Sequence, residues 1–259
     1  METFDDETFL LEIYRSIPSS NIAYFGNFFK CRRVERLTRN YLFKKAWINS
    51  SSKKDLPPDF YNKKHRIMME MMRVDDCVNS INGKKIKNSF ERTNKYMKRL
   101  FGKDYKVKQN GSLYFVPNTT NSNEFNYSGY INNFRRVLKK HSEKIPSYRS
   151  NHPECKELIF MVFDESNSYI QVSKKEDLSK LIDDKAKFKN AILHHWYNDS
   201  QFVEIIKNCK ADYVIWVGFY KTLLIDDKKA KQPLICICDV KNFSAKTIEF
   251  NDELMLKVC

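Results

Sequence analysis

From about Asp199 to Phe243 the chain reads as a helix (DSQFVEIIKNC), an apolar strand (ADYVIWVGFYK), a polar turn (IDDKKAKQ) and a second strand (PLICICDVKNF). Alternate side chains of an extended strand share a face, so Asp239 and Lys241 are expected on one side and Cys238 and Val240 on the other. A carboxylate and an ammonium about 7 Å apart along a strand of buried character lose hydration unless a partner, a metal or a substrate meets them. This stretch therefore sets the chemistry that the chain must accommodate.

Upstream, ELIFMVF is a continuous apolar run, as for a strand covered on both faces, and it ends in Asp164-Glu165-Ser166. SYIQV reads as its hairpin partner, KKEDLSKLIDD as a short helix, and the tail after Ala245 as one or two further elements. Strands interleaved with helices make residues 151–259 a mixed α/β domain with a central sheet. With six glycines in all, the glycine-rich phosphate loops and nucleophile elbows are missing.

Charge separates this part from the rest. Residues 1–150 hold 30 Lys+Arg against 15 Asp+Glu, whereas residues 151–259 hold 16 against 17. A lysine-rich proteome would load both parts alike, so the excess points to a polyanion partner, most often nucleic acid. The pattern predicts a helix over Asp5–Ile17 stopped by Pro18, and a second over CRRVERLTRNYLFKKAWI, where Arg32, Arg36 and Arg39 form a row opposite Val34, Leu37 and Tyr41. Residues 59–80 are expected to be helical, with Met68, Met69, Met71 and Met72 as adaptable core filler. IKNSFERTNKYMKRLF repeats the two-row pattern with Arg92, Lys95 and Arg99, and a hairpin near 105–116 around Asn110-Gly111 follows, an order compatible with a winged helix. A further helix, YINNFRRVLKKHSEK, sets Arg135, Arg136, Lys139 and Lys140 beside Ile131, Phe134 and Leu138. The fold class expected is α+β: a basic, mainly helical part at 1–150 that grips nucleic acid, then the α/β domain. Neutralising phosphates releases condensed counterions, so such binding is salt-sensitive and depends little on sequence.

Glu204 on a helix, Asp212 opening a strand and Asp239-Val240-Lys241 closing the next resemble the PD-(D/E)XK, or restriction-endonuclease-like, nuclease superfamily over roughly 45 residues. The resemblance implies a metal-dependent nuclease acting on DNA or RNA, with Mg²⁺ or Mn²⁺ held by Asp212 and Asp239, Lys241 activating water and Glu204 an accessory acid. Hard oxygen ligands suit that metal, which stabilises charge developing on phosphate. It also implies a setting in restriction, mobile-element or phage biology. Ala211 stands where the family has proline. A hairpin turning near 226–231 would place Asp239 opposite Gly218, leaving Asp212 about 20 Å away. A second arrangement has the strands 157–163 and 234–240 parallel, gathering Asp164, Glu165 and Asp239 as metal ligands at one carboxyl edge, which faintly resembles an RNase H-like nuclease.

The competing reading is that these acids cap strands and form ion pairs, with Lys241 paired to Asp239. The chain is then a non-catalytic binder of nucleic acid or protein, such as a phage-encoded inhibitor of a host complex. His152, Cys155, His194 and His195 are of zinc-binding type but lack a recognised spacing. Seven scattered cysteines, an acidic start and the want of a long apolar run point to a reducing cytoplasm and no membrane. A protein partner or a second copy of the chain is allowed.

Overall fold

The computed structural model describes residues 7–40, 45–50, 56–77, 126–175, 191–218 and 233–258, with the strand pairs 80–81/84–85 and 224–225/228–229. Its strands are β1 Ile22–Phe25, β2 Ile48–Asn49, β3 Phe60–Asn62, β4 Ile67–Val74, β5 Ser80–Ile81, β6 Lys84–Lys85, β7 Glu157–Asp164, β8 Ser168–Gln171, β9 Ile192–Leu193, β10 Tyr213–Val217, β11 Leu224–Ile225, β12 Lys228–Lys229, β13 Ile235–Asp239 and β14 Met255–Val258. Its helices are α1 Glu7–Ser16, α2 Phe28–Arg39, α3 Tyr127–Glu143, α4 Ile145–Asn151 and α5 Ser200–Lys207.

Seven strands form one sheet in the order β1-β13-β10-β7-β4-β3-β2. β7 lies at its centre, parallel to both β4 and β10, and its run from Leu158 to Asp164 is buried throughout. Period-two alternation divides that run between two cores. Leu158, Phe160 and Val162 join Tyr130, Phe134 and Leu138 of α3 and Phe202 and Ile206 of α5 on one face. Ile159, Met161 and Phe163 join Leu11 and Tyr14 of α1 and Val34 and Leu37 of α2 on the other. Helices thus cover both faces, which is what a strand apolar on both sides requires.

This overturns the expected division into a helical part and a sheet part. β1 to β4, all before residue 150, belong to the same sheet as β7, β10 and β13. The decisive misreading is residues 59–80, which form β3 and β4 rather than a helix. Methionine favours helices by propensity, but IMMEMMRV is apolar on alternate sides at once: Met68 and Met72 enter one core, Met69 and Met71 the other. The methionines are core filler, as expected, on a strand. The buried polar residue of this strand, Glu70, has its carboxylate accepting from Tyr148 Oη at 2.7 Å and paired with His141 Nδ1 at 2.8 Å.

Local signals set the other elements. Pro18 follows α1; Asn27, Asn126 and Asp199 cap α2, α3 and α5 by accepting from Lys30, Gly129 and Gln201 amides. SYIQV does not return beside β7. As β8 it pairs with β14 and β9 in a separate three-stranded sheet. The expected helix at 86–101, the hairpin at 105–116 and the KKEDLSKLIDD helix lie outside the described residues.

Candidate nucleic-acid interface

Strand direction decides which residues meet. β4, β7 and β10 run one way, β13 and β1 the other, so the starts of the first three lie at the same sheet edge as the ends of the last two. At this edge Asp239 stands opposite Tyr213, and the amide of Val240 donates to the Asp212 carbonyl at 3.1 Å. The register expected from a turn near 226–231 is therefore wrong by five residues. β11 and β12 pair Ile225 with Lys228, so the pairing is centred near the start of the polar segment rather than its middle. Moving the turn back by two or three residues shifts the partner strand by twice that number, and Asp212 comes beside the end of β13.

The two carboxylates nevertheless face apart. Asp239 is on the α2 side of the sheet with Tyr213, 2% exposed, its Oδ2 accepting from Asn242 Nδ2 at 2.6 Å and lying 3.7 Å from Lys30 Nζ. Asp212, 39% exposed, turns its Oδ2 to the Leu158 amide at 2.8 Å and lies 3.8 Å from Arg149 of α4. Partial burial raises the Asp212 carboxyl above its ordinary range, against the Leu158 hydrogen bond and Arg149, which lower it. β13 stops at Asp239, and Val240–Asn242 form a 3-10 turn, so Lys241 does not share a strand face with Asp239; it is exposed on that turn. Lys30, not Lys241, is the cation beside Asp239. Glu204 is exposed on α5, with no ion pair among the described residues. Asp164 and Glu165 lie at the opposite edge from Asp239, because β7 and β13 are antiparallel in sense; the parallel arrangement fails.

At that opposite edge the acids are engaged by hydrogen-bond donors. Asp164 accepts from Tyr130 Oη at 2.5 Å, Trp216 Nε1 at 3.1 Å, and the Ser166 amide and hydroxyl at 3.0 and 2.6 Å. Burial, then the adjacent Asp164, pushes Tyr130 well above the ordinary tyrosine range, so its proton stays on the phenol. Asp76 likewise accepts from Tyr169 and Asn167, and Asp199 from Tyr127, with His194 Nε2 at 2.9 Å. His194 is thereby an orienting partner of a helix cap, and His152 Nε2 faces the Leu56 carbonyl at 3.2 Å. Among the described residues no three His, Cys, Asp or Glu side chains come together as a metal group.

The basic rows divide in two. On α2, Arg32 bonds Tyr24 Oη at 2.8 Å and Glu35 at 2.5 Å. Arg39, nearly buried, donates to the Ile17 carbonyl and to Arg15 O at 3.3 Å, closing the end of α1. Arg36 is exposed. On α3, Arg135, Arg136 and Lys139 are all exposed, as is Lys140; among the described residues the arginines bond to the amide side chains of Asn132, Gln201 and Asn133. No carboxylate lies within ion-pair distance of this row among the described residues. Arg92, Lys95 and Arg99 lie outside them.

The larger cluster was not singled out from sequence. Four connections at the Asp239 edge carry exposed cations: Lys64 and Arg66 between β3 and β4, Lys156 before β7, Lys210 before β10, Lys241 after β13. The acids there are already engaged, Glu154 by Lys63, Glu157 by Arg33, Asp212 by Arg149 and Asp239 by Lys30. His65, in the midst of these cations, is held below its ordinary pKa first by burial and then by Lys64, Arg33 and Arg36. The available signal was a lysine just before ELIFMVF and ADYVIWV and just after CICDV, which becomes one cluster once strand direction is known.

Among protein-family models, curated proteins and solved structures, none matches the chain. Among the described residues no helix is long and apolar enough to cross a membrane.

Proposed function

We propose that this protein binds nucleic acid, DNA or RNA, along the Asp239 edge and the adjoining outer face of α3. One observation carries the reading: the exposed cations of four different connections gather at one edge while the carboxylates among them are each paired. A surface of this kind attracts a phosphate backbone through counterion release and needs no base contacts. The 17 residues of α3 span about 25 Å, long enough for its basic row to follow several phosphates. Titrating labelled DNA and RNA with wild type and with Arg135→Glu/Arg136→Glu/Lys139→Glu tests it. The slope of log affinity against log salt should flatten by roughly one per lost phosphate contact. Identical slopes would refute the assignment of α3.

A second reading, cleavage of the bound strand, is favoured by the register that sets Asp212 and Asp239 on neighbouring strands. Two carboxylates suit Mg²⁺ in kind, since that ion commonly takes one or two of them plus substrate phosphate. In their present arrangement they do not fit it as a pair: each has an oxygen engaged by a protein donor, and they face apart. Cleavage with Mg²⁺ or Mn²⁺ that EDTA stops and Asp212→Asn or Asp239→Asn abolishes would establish this reading. Binding without cleavage would reduce the function to the first.

A further inference from the structure

Two phenylalanines begin α2, beside the carboxyl end of β13. Phe29 is 82% exposed and Phe28 53%, the most exposed large aromatics of the described residues. Their rings meet edge to face, centroids 5.8 Å apart at 73°, and Phe28 meets Tyr24 in the same way at 5.3 Å and 85°. An edge-to-face contact covers little of either ring, and at 82% exposure most of Phe29 is open to another ring.

The pair is fixed rather than loosely displayed. Gly26 turns the chain from β1 into α2 with φ +90°, and a Cβ there would lie 2.9 Å from the Asp239 carbonyl and 3.1 Å from that of Asn242. The turn is thus packed against the end of β13, and the Asn27 cap orders the first turn of α2. Lys30 follows on the same turn, half exposed, and Lys241 is exposed on the 3-10 turn after Asp239.

We propose that Phe28 and Phe29 form a stacking platform for unpaired bases, so that the nucleic acid taken at this edge is single-stranded where it crosses α2. This rests on the nucleic-acid reading above and names its substrate class. An apolar patch on a neutral surface would suit a protein partner; here cations border it, and a strand with its phosphates on the lysines brings its bases to the rings. Bases in a duplex are already stacked on each other and give the platform nothing to take.

The test is fluorescence anisotropy at fixed salt with one labelled oligonucleotide, single-stranded and annealed to its complement, and the full chain as wild type, Phe29→Ala, Phe29→Trp and Lys241→Glu. Stacking of one base on an aromatic ring corresponds to roughly a five- to 150-fold change in affinity. Phe29→Ala should weaken the single strand by that factor and leave the duplex unchanged, Phe29→Trp should restore it, and Lys241→Glu should weaken both. Equal losses on both forms, or none, would overturn the platform while leaving the nucleic-acid reading in place. No salt-sensitive binding of any form by wild type would overturn the reading itself. A wild-type dimer that Phe29→Ala dissociates in sedimentation would assign the patch to a second copy of the chain and overturn the platform.

Discussion

Replacing Gly26 by alanine tests the geometry on which the interface depends. At φ +90° an L side chain is strained, which costs about 1–3 kcal/mol. The added methyl would also meet the carbonyl oxygens of Asp239 and Asn242 at 2.9 and 3.1 Å. Both are backbone atoms, of the β13 end and of the 3-10 turn after it, so no rotamer change relieves them, and overpacking of this kind adds about 1–3 kcal/mol. Alanine narrows the unfolded ensemble and recovers about 0.4–1 kcal/mol. The expected net loss is roughly 2–4 kcal/mol, read as a lower urea midpoint with an unchanged slope. Because α2 and β13 would be forced apart at this point, nucleic-acid affinity should fall together with stability. A loss below about 0.5 kcal/mol would mean that β1, α2 and Asp239 do not meet as described.

Further outcomes follow from burial and charge. Phe134, fully buried and stacked 4.9 Å from Phe202, should cost about 3–5 kcal/mol on truncation to alanine in the same urea assay. Burial pushes the Cys209 thiol up to about 11, and Cys31, Cys77, Cys155, Cys236 and Cys238 are buried too. Near pH 8 these six should react with a disulfide reagent only on unfolding, which a spectrophotometric thiol titration with and without urea checks. The raised carboxyl of Asp212 binds its proton more tightly in the fold than in the unfolded chain. Its contribution to stability is therefore present below the unfolded value, near 3.9, and lost as pH rises through the folded one. Asp212→Asn should gain on wild type as pH rises through that window, and urea midpoints across mildly acidic pH would expose a parallel pair of curves if this is wrong.

How much of this the sequence discloses depends on the range of the interactions. The continuous apolar run of ELIFMVF and that of ADYVIWV made β7 and β10 legible, and the caps of α2, α3 and α5 are local side-chain to backbone bonds. β4 was missed because methionine and glutamate favour helices, while the sheet position that overrides them is set by β7, far along the chain. The pairing of Asp212 with the end of β13 rests on where one turn closes, and an error of two or three residues there moves the register by five. Lys241 was misjudged for a simple reason: β13 ends one turn earlier than the apolar pattern implies. The gathering of Lys64, Lys156, Lys210 and Lys241 needs strand directions, which no spacing within one element contains.

The central claim, that the Asp239 edge is where nucleic acid is held, is tested most directly by affinity for a labelled single strand at rising salt, comparing wild type with Lys156→Glu/Lys210→Glu/Lys241→Glu. These side chains are exposed, so the fold should survive their reversal. The account predicts binding that weakens steeply with salt in wild type, and in the variant lower affinity with a slope flatter by roughly three. Equal affinity and equal slope would contradict it.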